Sequence, residues 1–162
     1  MRNTLITGTL LALATTVTTM ICARRNRQPA IAPTNATSHV LWGLEAGVQD
    51  DVSMRYTAVG FAINHAACVF WAALYERAFG KLAQRDRGIA FGAGTLVSAI
   101  AYVTDYHLVP RRLTPGYELR LPRKDLLPIY GVIAVVLPLR ALLAVRREHP
   151  ESLTAKPPKP RA

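Results

Sequence analysis

The sequence predicts an all-α polytopic membrane protein: a four-transmembrane-helix bundle with a short interfacial amphipathic helix after the first span. Three observations predict it. Charge is segregated: residues 3–23, 56–75, 88–104 and 126–139 hold no Asp, Glu, Lys or Arg. The 20 basic and 10 acidic residues all fall outside those blocks. The blocks approach the right length, because a helix rising 1.5 Å per residue needs about 20 residues to cross a hydrocarbon core of about 30 Å. Finally, basic residues stand at block ends, as with Arg24, Arg25 and Arg27, or Arg111 and Arg112.

The 162 residues allow one domain, at about 1–148, followed by a basic, Pro-rich tail at 149–162 that is expected to be disordered. A net charge of +10 has two readings. Nucleic-acid binding needs a basic face with stacking aromatics or a recognisable module, and none is present. Flanking of membrane spans by Lys and Arg, facing anionic headgroups, fits their placement. The expected partners are therefore the lipid bilayer and its anionic headgroups, with no nucleic acid; small-residue helix faces leave room for a homo-oligomer.

The first span is expected at about 4–23. It is rich in threonine, whose hydroxyls can bond back to helix carbonyls. A cleaved signal peptide competes with a retained span. The basic cluster follows the apolar stretch rather than preceding it, and Cys22 lacks a small residue before it, so the retained span is preferred. Residues 26–37 contain Pro29 and Pro33 and read as an extended linker. Ser38 offers a helix N-cap, and Val40, Leu41, Leu44 and Val48 recur at helical spacing, predicting an interfacial helix over about 38–48.

The second span is expected at about 56–74, preceded by Asp50, Asp51 and Ser53 as N-terminal caps. The third, at about 88–104, carries small residues at four-residue spacing, which lets helices approach closely in lipid. The fourth, at about 126–145, has Pro138 in its interior, which predicts a kink, and Arg140, which is expected to snorkel. Four spans put both termini on one side. Basic residues number 11 on the terminal side and 9 on the other, so the positive-inside rule leaves orientation open.

Two stretches carry a resemblance: Ser38 to Glu76, containing SHVLWGLEAGVQDDVSMRY, and Tyr102 to Glu118, YVTDYHLVPRRLTPGYE. Together they resemble a group of small, uncharacterised bacterial inner-membrane proteins. The resemblance implies a multi-pass protein of the bacterial inner (cytoplasmic) membrane. It supplies no activity and no functional residues.

Ionisable groups within a membrane are expensive and mark candidate sites. Asn64, His65 and Cys68 can share a broad face of the second span, and Thr95, Ser98, Tyr102 and Asp105 form a stripe on the third. One reading is interhelical hydrogen bonding; the other is a ligand or proton site at mid-depth. The first and third loops emerge together, gathering His39, Glu45, Asp50, Asp51, Asp105, His107 and Glu118. Of these, His39, Asp50, Asp51, Asp105 and His107 form a candidate divalent-metal set, since imidazole and carboxylate both serve such ions. The competing reading is capping by Asp50 and Asp51 and pairing of Asp105 with Arg111 or Arg112. Haem is not expected, because only His65 is central. Walker A, G-x-S-x-G, G-x-G-x-x-G, C-x-x-C and H-E-x-x-H motifs are all absent.

The first expectation for function is a structural or interaction component. A binding or transport module for a small ligand or cation is the alternative, and a membrane enzyme ranks last.

Overall fold

The computed structural model describes residues 2–148, so the predicted tail at 149–162 lies outside the described residues. The described chain is all-helical, with no strand. Three helices are long and apolar enough to cross a membrane: Asn3–Arg25, Met54–Ala83 and Arg87–Leu108.

Helix α1 (Arg2–Arg25) holds its threonines as expected. The hydroxyls of Thr7, Thr15 and Thr18 donate to the carbonyls four residues earlier, at 3.1, 3.0 and 2.8 Å. The linker expectation fails next. Residues 32–37 form a short helix, α2 (Ala32–Thr37), buried along its whole length. Pro33 sits in its first turn, where the missing N–H costs no hydrogen bond. Helix α2 lies on Gly60, where an added Cβ would overlap the Thr34 carbonyl oxygen.

The interfacial helix is also corrected. After α3 (His39–Trp42), Gly43 takes φ 74°, and a 3-10 turn over Gly43–Val48 replaces a continuous helix. Ser38 does not cap it; the hydroxyl donates back to the Asn35 carbonyl at 2.7 Å. Leu41, Leu44 and Val48 are exposed.

Ser53 accepts from the Tyr56 N–H at 3.1 Å and opens a π-helical turn, Met54–Ala58, that runs into α4 (Val59–Ala83). Asp50 and Asp51 do not share this capping. Asp86 caps α5 (Arg87–Val103), which ends in a second π-helical turn, Thr104–Leu108. The fourth apolar block is two helices, α6 (Leu126–Val136) and α7 (Leu139–Glu148), broken at Pro138 as its missing N–H predicts. Neither piece alone is long enough to cross a membrane.

Helices α1, α4, α5 and α6 pack in a ring, each touching two neighbours. The core holds Leu11, Cys68, Ala72, Val97, Ile129 and Leu137. Outer faces expose Leu13, Val17, Phe70, Leu96 and Val135, an apolar exterior suited to lipid. Helix α5 enters the notch at the α6–α7 break, where a Cβ on Gly94 would come 2.5 Å from the Ala134 carbonyl oxygen and 2.8 Å from Pro138 Cδ. Arg140 does not extend alone toward an interface: it pairs with Glu76 of α4 at 3.4 Å, both half-buried.

Candidate functional site

The first and third loops close over one end of the helices. Arg112 donates from Nε to the Val40 carbonyl and from a terminal nitrogen to that of Leu41, at 2.8 and 2.9 Å. Arg120 donates to the Gly47 carbonyl at 2.9 Å and the Gln28 side chain at 2.8 Å, and pairs with Asp50. Asn35, fully buried, donates to the carbonyls of Gln49 and Asp51 at 3.0 Å each and accepts from the Thr57 hydroxyl at 2.6 Å. Irregular backbone packed against apolar helices must find such partners.

Tyr117 descends from this cap into the helices. Gly116 takes φ 83°, a left-handed conformation that turns the chain, and it sits where a Cβ would strike Ala36 and His39. The Tyr117 hydroxyl then donates to the Asn64 side-chain oxygen at 2.8 Å. Burial pushes the Tyr117 hydroxyl well above the usual phenol range, so it stays a donor. The Asn64 amide donates to the Ala12 carbonyl at 3.3 Å and to the hydroxyls of Thr15 and Thr16 at 3.2 Å each. The Cys68 thiol lies 3.6 Å from the Asn64 oxygen and 3.9 Å from the Thr15 hydroxyl. One buried amide thus ties α1, α4 and the third loop together.

A second set of polar groups lies alongside. The Tyr130 hydroxyl donates to Asp105 at 2.6 Å, and the Ser98 hydroxyl donates to the Tyr130 carbonyl at 2.6 Å. The Tyr106 hydroxyl donates to Glu118 at 3.3 Å, and Thr114 donates to the same carboxylate. Between the two sets lies a cavity of about 90 Å³. Thr15, Asn64, Cys68, Asp105, Tyr117 and Tyr130 contribute its polar lining; Leu11, Ile63, Trp71, Ile129 and Ile133 contribute apolar walls. Leu113, Thr114 and Pro115 of the third loop form the roof.

Of the residues the sequence singled out, Asn64 and Cys68 do meet, and Asp105 reaches the same cavity. His65 does not join them: its Nε2 lies 3.0 Å from the Thr9 hydroxyl, on an exposed edge between α1 and α4. One helical residue is a rotation of about 100°, which carries His65 off the buried face. Ser98 is occupied by the Tyr130 backbone, and Tyr102 is partly exposed, its ring tilted against Tyr106 and His107 and edge-on to Tyr130.

The metal set does not assemble. His39 is buried, with Nδ1 3.1 Å from the Ala36 carbonyl and Nε2 3.2 Å from that of Arg111. Asp50 faces Arg120, Asp51 contributes its backbone to Asn35, and Asp105 takes the Tyr130 hydroxyl rather than Arg111 or Arg112. His107 is exposed beside Tyr102. Among the described residues, no group of three His, Cys, Asp or Glu side chains is close enough to hold a metal ion.

Sequence reasoning missed Asn35, Tyr117 and Tyr130. Pro115-Gly116 before Tyr117 was the usable signal, since it marks a tight turn that aims an aromatic side chain. No family model, curated protein or solved structure matches the chain.

Proposed function

We propose that this chain is a four-crossing protein of the bacterial inner membrane, belonging with the small uncharacterised proteins its loops resemble, and that it binds a small ligand in the cavity beneath its loop cap. The fourth crossing is the broken pair α6–α7. Residues 126–148 rise about 34 Å along a helix axis, enough for a core of about 30 Å.

The observation that carries the binding reading is the convergence of polar side chains from α1, α4, α6, the π-helical turn and the third loop on one small apolar-walled cavity. A few placed polar groups in apolar walls are the usual composition of a small-molecule site. The volume of about 90 Å³ suits an organic guest of a few heavy atoms. Asp105 selects its chemistry. One carboxylate oxygen takes the Tyr130 hydroxyl, and the other has no hydrogen-bond partner among the described residues. A carboxylate in apolar surroundings favours a guest bearing positive charge or N–H donors. A small organic ammonium ion satisfies both requirements. A purely structural role accounts for the Asn64 network but does not call for a carboxylate on the cavity wall.

Thermal unfolding of the detergent-purified chain tests this, with methylammonium, ethylammonium and propylammonium chlorides against sodium chloride at equal ionic strength. At least one amine is expected to raise Tm, by the equivalent of about 1.4 kcal/mol at tenfold excess over Kd and logarithmically with concentration beyond it. Asp105→Asn is expected to abolish that rise. No rise with any amine, with Asp105→Asn as stable as the native chain, would return the protein to a structural role.

A further inference from the structure

Beyond the capped cavity, a second feature lies on the outer surface of the helices. We propose that the groove between α5 and α6 binds one acyl chain of an anionic phospholipid, with Arg123 on the phosphate. The groove has a volume of about 450 Å³. Thr95, Ala99 and Val103 of α5 form one wall; Leu127, Gly131 and Ala134 of α6 form the other. Leu127 is 79% exposed, so this apolar surface has no partner within the described chain.

Two features identify the occupant. The first is length. Along α6 the lining runs from Leu126 to Ala134, a rise of about 12 Å, close to the roughly 15 Å of one leaflet's hydrocarbon. The second is charge. Arg123 lines the groove at its mouth, in the 3-10 turn that opens α6. It is exposed and has no ion pair among the described residues. An apolar slot of leaflet depth ending in a guanidinium complements an acyl chain ending in a phosphate.

Gly131 supports the same reading. A Cβ there would meet nothing within 4 Å, whereas one at Gly94, elsewhere along the α5–α6 contact, would strike α6. Gly131 is therefore not needed for helix packing, and it leaves the groove open. A second copy fits less well. Copies related by a two-fold axis along the membrane normal would bring both Arg123 side chains to the same depth, like charge beside like charge.

Native mass spectrometry of the full chain from detergent tests the proposal. Phosphatidylglycerol and phosphatidylcholine with identical acyl chains are added in equal amounts. One phosphatidylglycerol is expected to be retained in preference. Gly131→Leu fills the groove and is expected to remove the adduct without lowering the unfolding midpoint. Arg123→Gln leaves the helices untouched and is expected to cut the preference about fivefold. Arg77→Gln, at the opposite end, is expected to change nothing. Equal retention of the two lipids, retention unaffected by Arg123→Gln, or a dimer that Gly131→Leu dissociates would each overturn the assignment.

Discussion

At one end of the bundle, residues 26–53 and 104–125 interlock through side chains that bond backbone carbonyls; at the other, α4 turns into α5 through Gln84, Arg85 and Asp86. The cap end spends Asn35, Arg112 and Arg120 on satisfying irregular backbone, and this places Tyr117 and the cavity roof. At the turn end the Asp86 carboxylate accepts from the Ile89 N–H at 2.8 Å and the Tyr75 hydroxyl donates to the Ala90 carbonyl at 3.3 Å, while Arg77, Lys81 and Arg85 stay exposed. The difference teaches that loop polarity has two uses here. Where loops are long and pressed onto apolar helices, polar side chains substitute for water. Where the connection is short, they are left exposed at the surface.

Three substitutions sharpen that contrast. The largest effect is expected for Asn35→Ala, which strands two carbonyls and the Thr57 hydroxyl under the cap. It should cost about 3 kcal/mol in reversible unfolding from detergent. An effect no larger than that of a surface change would mean the cap is loosely held. Gly60→Ala forces α2 away from α4 and is expected to cost about 2 kcal/mol, with faster hydrogen exchange confined to residues 32–53. Exchange rising evenly along the chain would show that the cap and helices unfold as one unit. At the turn end, Asp86→Ala removes one cap and is expected to cost about 1 kcal/mol, leaving exchange in the cap unchanged.

Much of the fold was legible because charge and hydropathy act locally. The helices over 2–25, 54–83 and 87–108, the bond-back of the threonines and the break at Pro138 all follow from residues within a few positions. Burial of residues 32–39 was not legible. APTNATSH is polar and carries a proline, and it becomes interior only because α4 at Gly60, the third loop at Gly116 and the 43–58 segment close around it. The site divides in the same way. Asn64 and Cys68 share a face by helical spacing alone, whereas Tyr117 reaches Asn64 across 53 residues of chain. No periodicity records a contact of that separation. The metal set failed for a related reason: topology brought the loops together, but His39, Asp50 and Asp105 are committed to carbonyls, an arginine and a hydroxyl, and His107 is turned outward beside Tyr102.

The notch where α5 meets the α6–α7 break carries a consequence for how the sequence can change over time. Pro138 removes the N–H that would otherwise hold the Ala134 carbonyl, and Gly94 is the residue small enough to sit against that carbonyl. Position 94 can enlarge only if the break closes, and a closed break would tilt α7 and its Glu76–Arg140 pair. Two residues 44 positions apart are thereby bound into one heritable unit. Related chains that lose the proline should be the ones free to carry alanine or serine at 94, and chains that keep it should keep the glycine.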